Sequence, residues 1–154
     1  MRSLGLDMGE KRIGVALSDP QDIIASPLTT IARDEEGSVV ATILKLAQHH
    51  QAGRIVVGLP LSLSGDLGKE ALKVQAFVHQ LSKQVSIPVE TWDERLSTVS
   101  VERLMRETSR KRHGGKANRD AMAAAIILQG YLDRLQASSH DTYNGEAGLI
   151  TGIG

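Results

Sequence analysis

The chain has 154 residues, and its 18 basic and 18 acidic side chains leave no net charge. It contains no cysteine, which excludes disulfides, zinc–thiolate sites and thiol nucleophiles. The longest apolar run, 121–128, is too short to span a bilayer and Asp7 interrupts the N-terminal apolar stretch, so we expect one soluble, cytoplasmic domain with no signal peptide and no membrane contact.

Three short strand patterns open the chain. They run from Leu4 to Asp7, from Arg12 to Leu17 and from Ala25 to Ile31. The turn residues at 9–11 make the first two strands a hairpin. Pro27 cannot donate to a ladder, so it places the third strand at a sheet edge.

Helix and strand patterns alternate through the rest of the chain. A first helix is predicted from an N-cap at Ser38 to just before Gly53, and a second from the apolar stripe Ala71, Val74, Val78, Leu81 and Val85. Two further strands are predicted at Arg54 to Leu59 and Ile87 to Trp92, and two further helices at Thr98 to Glu107 and Asp120 to Leu135.

This order predicts an α/β fold, a mixed five-stranded sheet with helices on both faces. The folded domain should span 1–136. The segment 137–154 is rich in Ser, Gly and Asp, and we predict that it is a flexible C-terminal tail.

Acidic residues stand at three places that this layout brings to one edge of the sheet. Asp7 ends the first strand, Asp93 and Glu94 follow the fifth, and Asp120 opens the last helix. Ligands of open sheets collect outside the carboxyl ends of the strands. Each acid also has a simpler interpretation, because Asp7 suits a turn, Asp93 or Glu94 suits a helix N-terminus, and Asp120 suits an N-cap.

Three acids at one place raise each other's pKa and repel, and a bound divalent cation removes that cost. Oxygen ligands without cysteine favour a hard cation, Mg²⁺ or Mn²⁺. Such a cation activates water and stabilises the leaving oxygen of a phosphodiester. The acids therefore predict metal-assisted hydrolysis.

Basic and hydroxyl side chains near these acids predict phosphate contacts. The expected nucleic-acid-binding residues are Lys11, Arg12, Arg95, Ser97, Thr98, Arg110, Lys111, Arg112 and Lys116. Gly9 and Gly14 would let backbone approach a ligand closely. The alternatives are a hairpin turn at Lys11 and Arg12, a helix N-cap at Ser97 or Thr98, and a solvated basic loop at 110–116.

Four blocks of sequence, in order, resemble the YqgF family, also called RuvX, whose members are described as candidate Holliday junction resolvases or pre-16S rRNA nucleases. The blocks are D-M-G-E-K-R-I-G-V-A from Asp7, V-G-L-P-L-S-L-S-G from Val57, D-E-R-L-S-T from Asp93 and D-A-M-A-A-A-I-I-L from Asp120. The resemblance runs from about Leu4 to Leu135, nearly the whole predicted domain.

The resemblance implies a ribonuclease H-like fold and a catalytic metal site. The acids of that site match Asp7, Glu94 and Asp120 here, and Asp93 stays open as the alternative to Glu94. The implied function is a Mg²⁺- or Mn²⁺-dependent endonuclease that processes the 5′ end of pre-16S rRNA, with Holliday junction resolution as the alternative. The implied partners are nucleic acid and ribosomal particles.

Two other classes of protein compete with the nuclease. A non-catalytic nucleic-acid-binding or ribosome-associated module would keep the fold, but unpaired acids near phosphates would repel them without a metal. An ATP-binding fold of the actin and sugar-kinase type needs two such domains, and one chain of this length is too short. We expect a monomer, and a dimer if the substrate is a junction, since junction resolution needs two active sites.

Overall fold

A five-stranded mixed sheet forms the centre of the molecule. The computed structural model describes residues 1–34, 36–62, 64–96 and 116–153. The strands lie in the order β3-β2-β1-β4-β5. Their bounds are Arg2–Met8 for β1, Arg12–Ser18 for β2, Ala25–Ala32 for β3, Ala52–Leu59 for β4 and Val89–Asp93 for β5.

The sheet joins an antiparallel meander to a parallel half. β1 pairs antiparallel with β2, and β2 with β3, whereas β4 lies parallel to both β1 and β5. The predicted mixed sheet and the predicted edge position of the third strand are both confirmed. The parallel strands β1, β4 and β5 all end at the same edge, which the hairpin between β1 and β2 also borders.

In the described ranges, three α-helices pack against the sheet. Their bounds are Glu36–His49 for α1, Lys69–Gln84 for α2 and Lys116–Ile153 for α3. The prediction that Ser38 caps α1 is wrong, because the helix already includes it and its carbonyl oxygen accepts a hydrogen bond from Thr42 Oγ1. The helix predicted at 98–107 lies outside the described residues.

The last helix is longer than the sequence predicted. It begins at Lys116 rather than at Asp120, and its backbone stays helical to Ile153, where a flexible tail was predicted after 136. Extending a formed helix costs far less than starting one, so helical backbone can continue through a segment of weak propensity. The domain boundary at 136 stays a prediction.

The two faces of the sheet pack against different helices. Leu4 and Leu6 of β1 point into a core shared with α1 and α2. The alternate residue Gly5 lies under α3, where an added Cβ would be 2.7 Å from Leu128 Cβ. Because side chains alternate along a strand, Asp7 lies on the same face as Gly5. None of the helices in the described ranges has the length and apolarity that a membrane crossing needs.

Candidate active site

Asp7 stands near the end of β1, half-buried beneath α3. Burial raises the pKa of its carboxyl, and the charge of Asp120 raises it further. Opposite Asp7 in the ladder lies Gly14 of β2, and a Cβ there would overlap the carbonyl oxygen of Asp120. The missing side chain at Gly14 therefore lets α3 pack closely on the hairpin. The sequence had suggested instead that it lets a ligand approach.

Glu94 enters the same region from the other side. It begins a 3-10 turn, Glu94–Leu96, directly after β5. Burial raises the pKa of its carboxyl, as do the charges of Asp7 and Asp93. On β4, an added Cβ at Gly58 would lie 2.7 Å from Glu94 Oε1, so the missing side chain leaves room for this carboxylate.

Asp93 and Glu94 are adjacent in the sequence, but their surroundings shift the pKa values of their carboxyls in opposite directions. Arg95 donates to Asp93 from Nη2 at 2.6 Å, from Nε at 3.0 Å and from its backbone N–H at 3.0 Å. These hydrogen bonds, chiefly those of the side chain, lower the pKa of Asp93. Asp93 is thus compensated by Arg95, whereas Glu94 forms no ion pair with any described residue. A phosphate contact by Arg95 stays a prediction, and its guanidinium here lies on Asp93.

Asp120 lies one turn inside α3, since the helix begins at Lys116. The simpler interpretation of Asp120 as an N-cap is therefore wrong. Its Oδ2 accepts a hydrogen bond of 3.0 Å from Arg12 Nε, at the start of β2. Both side chains are about one-third exposed, 36% for Arg12 and 34% for Asp120.

The remaining predicted nucleic-acid contacts divide into two groups. Lys11 is exposed in the hairpin beside Arg12, and Lys116 begins α3, so both stand at the edge that carries the acids. The others lie outside the described residues: Ser97, Thr98, Arg110, Lys111 and Arg112.

Sequence reasoning placed Gly58 in the fourth strand and gave it no part in the site. A signal was available, because an isolated glycine in a β-branched run marks a close approach. Which group approaches could not be read locally, since Glu94 arrives from a strand more than thirty residues later.

The acids fit a hard divalent cation by donor chemistry. All three are carboxylates, and Gly58 leaves space beside Glu94. Burial raises the pKa of both Asp7 and Glu94, and the charge of Asp7 raises the pKa of Glu94 further. Among the described residues, no three acidic or histidine side chains are already arranged as a metal-ligand set. The ion pair with Arg12 engages the Asp120 carboxylate.

A sequence model of the RuvX family, described as Holliday junction resolvase, matches residues 1–134. The chain belongs to this family. A relative from Roseiflexus sp. (strain RS-1), named as a candidate pre-16S rRNA nuclease, is 47% identical over 132 residues, covering 86% of this chain and 94% of its own. A relative of the same name from Chloroflexus aurantiacus is 44% identical over 140 residues, covering 91% and 92%.

Solved structures confirm the ribonuclease H-like fold. RuvC of Thermus thermophilus, solved in complex with a Holliday junction, superposes with a TM-score of 0.59 at 14% identity, over 87% of this chain and 96% of RuvC. The fowlpox virus resolvase superposes with a TM-score of 0.53 at 10% identity, over 88% and 99%. The prediction that this RuvX-family protein is a nuclease, a hydrolase of phosphodiester bonds, is confirmed.

Proposed function

We propose that Asp7, Glu94 and Asp120 form the catalytic centre of a Mg²⁺- or Mn²⁺-dependent endonuclease. The observation that carries the proposal is the convergence of these acids at one edge, where Gly14 lets the helix that carries Asp120 pack on the hairpin and Gly58 leaves room for Glu94. Burial raises the pKa of Asp7 and of Glu94, and the charges of Asp120 and Asp7, respectively, raise them further. Three distant segments place these acids together at the expense of electrostatic stability. A bound cation would offset that repulsion.

The chain's own residues would do the following. Asp7, Glu94 and Asp120 would hold the cation. Lys11 and Arg12, on the hairpin, contact phosphate oxygens and orient the strand. When bound, the cation supplies an activated water for attack on phosphorus and compensates charge on the departing oxygen.

We propose structured RNA as the substrate, specifically the 5′ end of pre-16S rRNA. The relatives at 47% and 44% identity support this choice by their names. A four-way DNA junction is the second candidate, supported by the description of the family and by the likeness to a resolvase solved with a junction. We further propose a cytoplasmic monomer that meets its substrate on ribosomal particles.

The test compares cleavage of labelled precursor rRNA and of a four-way junction by one preparation. We expect RNA cleavage with Mg²⁺ or Mn²⁺ but not with Ca²⁺, since Ca²⁺ prefers a looser coordination geometry. Asp7→Asn and Asp120→Asn should each lower the rate by about 100-fold or more, as loss of a charge-stabilising group does.

Asp133→Asn is the matched control, because Asp133 is an exposed acid on the same helix as Asp120. It should keep wild-type activity. Full cleavage in excess chelator, or wild-type turnover by Asp120→Asn, would rule out the three-acid site. No cleavage of either substrate by the wild type would instead support a binding module.

A further inference from the structure

Asp120 differs from the other two site acids in having a cation beside it. Arg12 Nε lies 3.0 Å from its Oδ2, whereas Asp7 and Glu94 form no ion pair with any described residue. Arg12 begins β2, two positions before Gly14, the residue on which α3 rests. The guanidinium thus spans the hairpin and the helix at the point where the acids converge.

We infer that Arg12 is the resident cation of the metal-free site, holding Asp120 until a divalent cation displaces it and then turning to a substrate phosphate. This inference rests on the proposed metal site. It makes Arg12 a residue with two successive partners, a carboxylate before the metal binds and a phosphate afterwards.

The displacement follows from charge and exposure. A guanidinium at 3.0 Å from Asp120 repels a divalent cation that approaches the same carboxylate, so the two positive groups compete for it. An ion pair as exposed as this one shifts an equilibrium by only about two- to fivefold. It is strong enough to compensate Asp120 in the metal-free protein and weak enough to yield to a divalent ion.

Release of Arg12 would couple the metal to the substrate. Once the metal holds Asp120, the guanidinium is available for a phosphate, and its planar array of donors suits phosphate oxygens. Linkage makes the effect reciprocal, so a phosphate that captures Arg12 raises the affinity for metal. The cation would therefore bind most tightly when substrate is present.

The test is calorimetric titration of the metal-free protein with Mn²⁺ alone, without nucleic acid. Arg12→Gln should bind Mn²⁺ about two- to fivefold more tightly than wild type, because the competitor is gone. The matched control is Arg119→Gln, which removes the same charge from the exposed residue next to Asp120, where no ion pair occurs among the described residues. It should change the affinity by less than about 1.5-fold.

Unchanged or weaker Mn²⁺ binding by Arg12→Gln overturns the inference, as does an equal gain in Arg119→Gln. Arg12→Met, which keeps the aliphatic stem on β2, carries the same expectation should Arg12→Gln fold poorly. Asp7→Asn separates this outcome from failure of the site itself. If Asp7→Asn binds Mn²⁺ as wild type does, the metal site is wrong. If it loses binding while Arg12→Gln matches wild type, only the role of Arg12 is wrong.

Discussion

The sheet face beneath α3 carries charged groups at both of its ends, and the two ends differ in how far opposite charges compensate them. At the end that holds Asp7, Glu94 and Asp120, burial raises the pKa of Asp7 and of Glu94, and the charge of a neighbouring acid raises each of them further. At the other end, every acid meets a donor in what we term the compensated cluster, made up of Ser3, Ser18, Asp22, Arg54, Glu90 and Tyr131.

Arg54 is the centre of the compensated cluster. Its Nη1 donates to Asp22 Oδ2 at 2.9 Å and to Ser3 Oγ at 3.2 Å, and its Nε lies 3.6 Å from Glu90. Its guanidinium stands 5.2 Å from the ring centre of Tyr131. Burial, together with donation of the Tyr131 hydroxyl proton to Glu90, raises the pKa of Tyr131 to about 12.

The difference shows what each cluster serves. Charges that hold a fold together are paired and hydrogen-bonded, because an unpaired charge away from water is costly. Among the described residues, the three acids under the start of α3 have too few positively charged partners to balance their charges. That deficit is what a cation would fill, and substitutions at the two ends should therefore have opposite effects on stability and on metal binding.

The largest effect should follow from removing the cation of the compensated cluster. Arg54→Met leaves Asp22 and Glu90 without it, at a cost of about 2–4 kcal/mol in the free energy of unfolding, since the pair with Asp22 is largely buried and breaking such a pair is destabilising. The melting temperature should fall by about 4–16 °C. Mn²⁺ affinity, measured by calorimetry below that temperature, should stay at the wild-type value.

Arg134→Met provides the control for Arg54→Met. Arg134 is exposed on α3 and in no ion pair among the described residues, so its loss should leave the melting temperature nearly unchanged. Equal destabilisation by the two variants would show that the ion pairs of Arg54 are not the cause of the loss. A loss of Mn²⁺ binding in Arg54→Met alone would show that the two ends are not separate.

A smaller effect is expected from filling the space beside Glu94. A Cβ at Gly58 would lie 2.5 Å from Ile127 Cδ1 and 2.7 Å from Glu94 Oε1. Both atoms end flexible side chains, so Gly58→Ala should fold, but with Glu94 displaced. We expect about tenfold weaker Mn²⁺ binding, as when support around a metal ligand is lost.

Gly68→Ala is matched to Gly58→Ala, because an added Cβ at Gly68 meets nothing within 4 Å. Its Mn²⁺ affinity should equal that of wild type. Wild-type affinity in Gly58→Ala would mean that Glu94 does not bind the metal in this orientation.

The smallest effect concerns pH and the metal-free protein. The Asp7 and Glu94 carboxyls have pKa values raised above their ordinary 3.8 and 4.5, so they favour folding while protonated and lose that contribution as the pH rises through the raised values. Asp7→Asn removes one repelling charge. It should raise the melting temperature at pH 7 by about 2–4 °C, and the gain should vanish below about pH 4.

Asp22→Asn, measured in the same thermal scans, should change the melting temperature in the direction opposite to Asp7→Asn. Asp22 has a positive φ of 60°, which Asn also tolerates, so the substitution changes charge rather than backbone. It removes a partner of Arg54 and should lower the melting temperature at pH 7. A drop in both variants would contradict the contrast between the two ends.

The sequence alone determined the kinds of element, their order and where two of the candidate site acids stand in them. Hydrophobic periodicity is local, so five strands could be read from it, with the positions of Asp7 at a strand end and Asp120 on the last helix. The ends of the helices were harder to predict from the sequence. Nothing near Asp120 in the sequence showed that the helix begins at Lys116. That start decides whether Asp120 caps the helix or lies within it, over the sheet.

Only the tertiary structure decided which charges meet. Asp93 and Glu94 are adjacent in sequence, yet Arg95 compensates the first while the second turns towards Gly58 and Asp7. Arg12 and Asp120 are separated by 108 positions, and they pair because Gly14 lets α3 rest on the hairpin. Such partners depend on strand register and on where a helix crosses the sheet, and these follow from packing over the whole chain rather than from any local pattern.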